Sequence, residues 1–402
     1  MLSALRRNSI WLLLARLSGH GLAVLFIVLA ARRLSVEVFG QFTVIAALII
    51  IGNSFTTFGT DTFLIREIAR AGQVSSLVSR ALGLQLGLSA LWWSATLFLR
   101  PDPPLLVYSL SLFPLALIAV LSALLRAYER MDLSWVISLI NGIVQLLAVF
   151  FSDDLWTLCA YVLLGQLVVA VLTLWICYRS LPRFQLFPSI DFIPLLRVVW
   201  PFAAITTLAV FSQRLGILSV SALEGDLATG LFSSAVRTVE GLKFGHYAVL
   251  GALLPELSRD AARSRRGFHV GLLGLLGISV LLAVGVRLLA RPIMSFLFGQ
   301  AYEPASGLLS ILCWSLVPYT ISAFISVDLV ARGRELDLLK AMLFTMLLFF
   351  VLYLFMINLY GLLGAAWAAF MGELFQAGIL VWVAKKFISD VPTNVTNTNE
   401  IL

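Results

Sequence analysis

Apolar residues run in long blocks along this chain, and short polar segments separate the blocks. A helix needs roughly 20 mostly apolar residues to cross the hydrocarbon core of a bilayer. Twelve such blocks can be read, at approximately 8–31, 39–60, 77–99, 104–126, 133–152, 155–178, 193–222, 228–254, 268–290, 304–330, 338–358 and 361–384. They lack the two-residue alternation of an outer-membrane barrel strand. The pattern predicts an all-α integral membrane protein with about 12 transmembrane helices. The connectors are short, Ser152-Asp153-Asp154 and Glu224-Gly225-Asp226 among them, so no soluble domain is inserted. The stretch 388–402, rich in Asn and Thr, reads as a disordered cytoplasmic tail.

Composition narrows the class. Apolar residues make up 60% of the 402 and charged residues only 12%, against roughly 25% charge in soluble domains. That is too little to cover a soluble surface, which excludes a soluble enzyme, a nucleic-acid binder and a disordered chain. The net charge of +7 gains its meaning from where the 28 basic residues fall. With the N-terminus in the cytoplasm, nineteen lie in inner segments and five (Arg32, Arg33, Arg100, Arg287 and Arg291) in outer ones. The remaining four, Arg16, Arg214, Arg237 and Lys243, fall inside spans. Such a bias sets an N-in, C-in topology by the positive-inside rule and calls for an even number of spans. The +7 balance therefore implies no nucleic-acid partner. Cys159, Cys177 and Cys313 lie in apolar runs without metal spacing and read as inert thiols. No Gly-rich phosphate loop followed by Lys and Ser or Thr occurs, and no catalytic constellation is visible, so the chain reads as a non-enzyme without a cofactor. The first apolar run is too long for a signal peptide.

A weak internal repeat is also legible. A shift of 190 places Gly40 and Phe42 on Gly230 and Phe232, and lays Arg66–Ala71 over Glu256–Ala261. The shift grows to 205 at Met131-Asp132 on Leu336-Asp337. It reaches 207 where Gly165, Leu167 and Trp175 fall on Gly372, Leu374 and Trp382. The matches keep their order. They predict two six-helix lobes, 1–184 and 185–387, related by a parallel repeat about an axis along the membrane normal, with a cavity between them.

Leu34-Ser35-Val36-Glu37-Val38-Phe39-Gly40-Gln41-Phe42 resembles the first outer loop and second helix of the polysaccharide transporter family. Phe58-Gly59-Thr60-Asp61-Thr62-Phe63-Leu64-Ile65-Arg66-Glu67-Ile68-Ala69-Arg70 is similar to that family's second-helix ending. Gly230–Arg237 and Leu254–Arg259 resemble its eighth helix. The resemblance implies a member of the multidrug, oligosaccharidyl-lipid and polysaccharide exporter superfamily. Within it, a Wzx-type flippase is implied. Its cargo would be polyprenyl-diphosphate-linked oligosaccharide for O-antigen, capsule or exopolysaccharide, moved across a bacterial inner membrane. Partners would be that lipid-linked glycan, the bilayer, and polysaccharide polymerase and other assembly proteins. The chain lacks the two extra C-terminal spans of the lipid II flippase type. Two alternatives stay open: a cation-coupled drug exporter of the same superfamily, and a membrane O-antigen polymerase or ligase.

Charges at bilayer depth are costly and mark sites or buried partners. Arg16 sits eight residues past Asn8, roughly 12 Å into the first span, with His20 one turn further on the same face. They offer either a cationic cavity wall for a diphosphate or acidic sugar, or bonds to backbone carbonyls. Arg214 lies in the outer half of the seventh span, which Pro201 is expected to break, and offers a second cation. Arg237, Glu240, Lys243 and His246 follow at three-residue steps, which suggests cavity-lining Arg237 and Lys243 or an ion-pair ladder through Glu240. Glu373, aligned with Gln166, is either a proton or sodium coupling site or a protonated helix-to-helix donor. Asp61 and Asp328 are structural or gate-forming, with Asp328 able to pair with Arg332.

Overall fold

The protein is described here from a computed structural model. The description covers residues 2–71, 74–182, 186–189, 191, 193–257 and 261–390, without the side chains of 2–10, 12–13, 15–16, 69–71, 74–75, 201–202, 244–269 and 387–390. Among these residues every regular element is helical. In chain order they are α1 (Leu2–Arg33), α2 (Val36–Thr57), α3 (Thr60–Ala71), α4 (Val74–Leu99), α5 (Pro103–Ser109), α6 (Leu112–Ala127), α7 (Met131–Phe151), α8 (Leu155–Ser180), α9 (Ile193–Leu257), α10 (Ala261–Leu288), α11 (Ala290–Phe298), α12 (Ser306–Leu312), α13 (Leu316–Ala331) and α14 (Glu335–Asp390). Each apolar run of the sequence falls on one helix or on consecutive helices. The run at 104–126 divides into α5 and α6. Of the tail, residues 391–402 lie outside the described residues, and helix extends through Asp390.

Nine segments are long and apolar enough to cross a membrane, among the described residues. This is a multi-pass membrane protein. Its exposed Leu, Phe and Trp side chains, such as Phe98, Trp175 and Phe355, suit contact with lipid tails.

Two of the nine are too long for one crossing, and each folds back at a glycine. Glu335–Lys386 has 52 residues, about 78 Å if straight against a hydrocarbon core of about 30 Å. Its backbone leaves the helix at Gly361, with φ of 57°, a conformation in which a Cβ would be strained. The chain reverses there. A Cβ built on Gly364 would lie 1.9 Å from the Met356 carbonyl oxygen, and one on Gly372 would lie 2.2 Å from the Phe349 ring. Ala203–Lys243 has its turn at Gly225, φ of 81°. Before it, Thr207 Oγ1 donates to the Ser54 carbonyl at 3.4 Å. After it, Thr43 and Ser233 hydroxyls meet at 3.0 Å. The first limb of α9 therefore runs antiparallel to α2 and the second limb parallel to it. Pro201 does not break this element, because the backbone stays helical from 193 to Gly225. Membrane helices tolerate proline when neighbouring groups take up the freed carbonyl.

By contacts the chain forms two compact units. The first is Met1–Arg237 with Met294–Glu303, and the second is Thr238–Ile293 with Pro304–Leu402. In the first unit α7 and α8 form a hairpin in which Gly165 faces Val144. The segment 294–303 is held to the end of α1. Arg32 donates to the carbonyls of Phe296 and Leu297, and the Tyr302 hydroxyl donates to the Ala31 carbonyl at 3.1 Å. Tyr302 is fully buried and meets Phe39 edge-on. Arg33 caps α7 through the Phe150 and Ser152 carbonyls. In the second unit Leu329, Leu338 and Leu380 centre one apolar cluster. Ser279 and Thr320 share a buried bond at 2.8 Å between α10 and α13. Hydroxyl bridges of this kind join helices where lipid offers no hydrophobic drive.

Asp154 starts α8 with a capping box, accepting from the Thr157 N–H at 2.7 Å. Bonds from the Thr157 hydroxyl and N–H hold its carboxyl below the ordinary carboxylate range. A group depressed in this way contributes its cap above its unfolded pKa and loses it as pH falls through the lower folded value. Hydrogen-exchange protection of the first α8 amides should survive acidification through the ordinary aspartate range, near pH 4, and fade only below it. In Asp154→Ala that protection should be weak at every pH.

Candidate functional site

The charged side chains inside the spans are held in different ways. Arg214 sits on the first limb of α9 and is only 8% exposed, eleven residues before the Gly225 turn and so about 16 Å along the helix from it. Arg237 follows on the second limb and is partly buried. His20 lies exposed on α1. The side chains of Arg16 and His246 lie outside the described residues. Asp61, at the start of α3, faces Arg126 of α6 at 3.8 Å. Asp328 pairs with Arg332 at 2.8 Å, as the four-residue spacing suggests.

Lys243 and Glu373, expected to act separately, form one ion pair. Lys243 Nζ donates to Glu373 Oε1 at 3.0 Å, joining the second limb of α9 to the second limb of α14. Their side chains are 18% and 17% exposed. Beyond the ladder that the spacing suggests, Lys243 thus has a partner on another helix. The ammonium also sits 4.1 Å from the centre of the Tyr319 ring on α13, a favourable cation–π placement. Tyr319 had no signal in the sequence, because an isolated Tyr in an apolar span is ordinary core. Gln166, aligned with Glu373 by the repeat, is 4% exposed on α8.

A second feature lies where α2 meets the second limb of α9. A Cβ built on Gly40 would be 2.0 Å from the Asp226 carbonyl oxygen, and one on Gly230 would be 2.1 Å from the Val36 carbonyl oxygen. The contact is reciprocal, since Val36 and Asp226 are themselves related by the shift of 190. Gln41 Nε2 donates to Asp226 Oδ2 at 2.8 Å beside it. Separately, a cleft of about 400 Å³ opens between the ends of α1 and α8, bordered by Arg33, Asp153, Asp154 and Trp156. Among the described residues no three His, Cys, Asp or Glu side chains gather as metal ligands would. The three cysteines are buried free thiols.

The family described as "polysaccharide biosynthesis protein" matches residues 5–261. No curated protein matches the chain. Among solved structures, the lipid II flippase MurJ in an inward closed conformation superposes with a TM-score of 0.75 at 16% identity. That match covers 94% of this chain and 87% of MurJ. An inward-facing multidrug resistance MATE transporter of the MOP superfamily gives 0.71 at 14% identity, over 92% of this chain and 95% of its own. A MOP-superfamily transporter from Pyrococcus furiosus, described as having a binding pocket of reverse polarity, gives 0.65 at 13% identity over 96% of each chain. The fold is thus the one shared by MurJ and the MATE transporters.

Proposed function

This chain belongs to the polysaccharide biosynthesis protein family, and from that premise we propose that it is a flippase for polyprenyl-diphosphate-linked oligosaccharide. It would carry repeat units of O-antigen, capsule or exopolysaccharide across a bacterial inner membrane by alternating access, handing them to a polymerase and other assembly proteins. One observation carries the reading: a polysaccharide-family chain is built on the fold of MurJ and the MATE transporters. The fold, shared with MurJ and the MATE transporters, supports a transporter in preference to an enzyme.

The finer architecture has its own support. The hairpins at Gly225 and Gly361 turn two of the nine apolar segments into four crossings, and α1 is long enough for one more. That favours twelve. The basic bias of the loops favours both termini in the cytoplasm. Gly165 on Val144 and Gly372 on Phe349 occupy corresponding places in two hairpins, at offsets of 207 and 205. This favours two lobes, 1–184 and 185–387, of common origin. Arg214 and Arg237, with Arg16 and His20 on α1, would give an anionic diphosphate its path; Lys243, expected beside them, is engaged by Glu373, and Asp61 with Arg126 would belong to a gate.

Deleting the gene in its host should abolish the surface glycan and leave lipid-linked repeat units on the cytoplasmic face, with export restored by the wild-type gene. Normal surface glycan in a deletion strain with no second flippase would overturn the proposal. The MATE likeness favours a second reading, a cation-coupled drug exporter. Under that reading the same deletion would sensitise cells to cationic dyes and leave the glycan intact.

A further inference from the structure

Glu373 lies twelve residues past the Gly361 turn, about 18 Å along its limb and so within hydrocarbon depth. A carboxylate there needs a proton, a bound cation or a fixed positive group. Lys243 supplies the third. Its ammonium holds Oε1 at 3.0 Å and rests its other side on the Tyr319 ring at 4.1 Å. An anionic oxygen on one side and an aromatic face on the other make a complete setting for a monovalent cation. A sodium ion on the same oxygen would stand next to the ammonium and face its like charge. A proton on Glu373 would leave that ammonium beside a neutral acid at bilayer depth. Tyr353 on the first limb of α14 is a further ionisable group that feels the Glu373 charge, and Glu240 lies one turn before Lys243 on α9.

We propose that Lys243 is the resident counter-cation of Glu373, filling the place a coupling ion would take. Glu373 therefore binds neither sodium nor a proton in the wild-type chain, and removing Lys243 creates such a site. This rests on the transporter reading for its consequence, that flipping draws on no ion gradient at Glu373. Its test does not depend on the cargo.

The probe is dicyclohexylcarbodiimide, which adds to protonated carboxyls in apolar surroundings and takes up the carboxyl proton as it forms a stable adduct. Full-length protein in phosphatidylethanolamine–phosphatidylglycerol vesicles would be treated at neutral pH without sodium, and the adduct at Glu373 quantified by mass spectrometry. Wild type and Lys243→Arg should stay at background. Lys243→Met should rise roughly tenfold or more, because a carboxyl at hydrocarbon depth that has lost its fixed cation takes up a proton instead. Equal labelling of wild type and Lys243→Met, whether high or low, overturns the proposal. A second measurement needs no lysine variant. Sodium should leave the melting temperature of the wild-type chain unchanged, and a sodium-dependent rise that Glu373→Gln abolishes overturns the proposal even if Lys243→Met fails to fold. A chain that labels as expected yet exports no glycan would sink the flippase reading and leave this one standing.

Discussion

Gly40→Val and Gly230→Val should each abolish glycan export and sharply lower the amount of folded protein in the membrane. The reason is the character of the atoms in the way. At both positions the nearest obstacle to a side chain is a backbone carbonyl of the opposing helix, 2.0 Å away at Gly40 and 2.1 Å at Gly230. A flexible side chain could swing aside, but a helix backbone moves only with its helix. Overpacking a core costs typically about 1–3 kcal/mol and occasionally more, and a clash between two backbones belongs at or above the top of that range. Whole domains have only about 5–15 kcal/mol to lose. Separating α2 from α9 would also strain the buried Thr43–Ser233 bond and the Gln41–Asp226 bond. Gly277 and Gly285 on α10 are the controls. A Cβ there meets nothing within 4 Å, so alanine should be neutral or stabilise slightly, by up to about 1 kcal/mol. Membrane abundance and melting temperature, measured beside surface glycan, separate the two classes. Wild-type melting and export in Gly40→Val would show that the crossing is not as close as described.

That glycine pair shows what the sequence could and could not say. The shift of 190 matched Gly40 to Gly230 as equivalent positions in a repeat. Equivalence does not imply contact, because related residues in two copies touch only where the copies meet. Only the fold shows that Val36, Gly40 and Thr43 lie against Asp226, Gly230 and Ser233. The apolar runs were legible because lipid selects for them continuously; the turn at Gly225 falls in the gap between two runs, and the turn at Gly361 falls on the first residue of the last one. Pro201 misled, since a proline weakens a helix without ending it when packing holds the rest. The short elements α5 and α12 are only about two turns long, too short for a helical period to show. The Lys243–Glu373 pair joins residues 130 apart in sequence. Spacing rules see partners only within one helix, so they offered Glu240 to Lys243 and could not offer Glu373.

Arg214→Ala should reduce lipid-linked glycan export by at least roughly thirtyfold while the protein stays folded. Truncating one partner of a buried charge-assisted contact costs about 2–5 kcal/mol, and about 2 kcal/mol already corresponds to roughly thirtyfold. Burial to 8% exposure at this depth is unfavourable for a guanidinium. Replacing a buried charge by an apolar side chain is often neutral for stability or better. A charge kept only for structure would make Arg214→Met fall in melting temperature and export together. A charge kept for an anionic headgroup would leave melting unchanged in Arg214→Met and remove export alone. Arg214→Lys should then retain part of the activity, because an ammonium supplies the charge but not the planar fork that grips two phosphate oxygens at once. Export at the wild-type rate in Arg214→Ala would remove this residue from the path. Joint loss of export and folding would make it a strut of the first unit instead, leaving Arg237 and the α1 cations as the groups to test against a diphosphate.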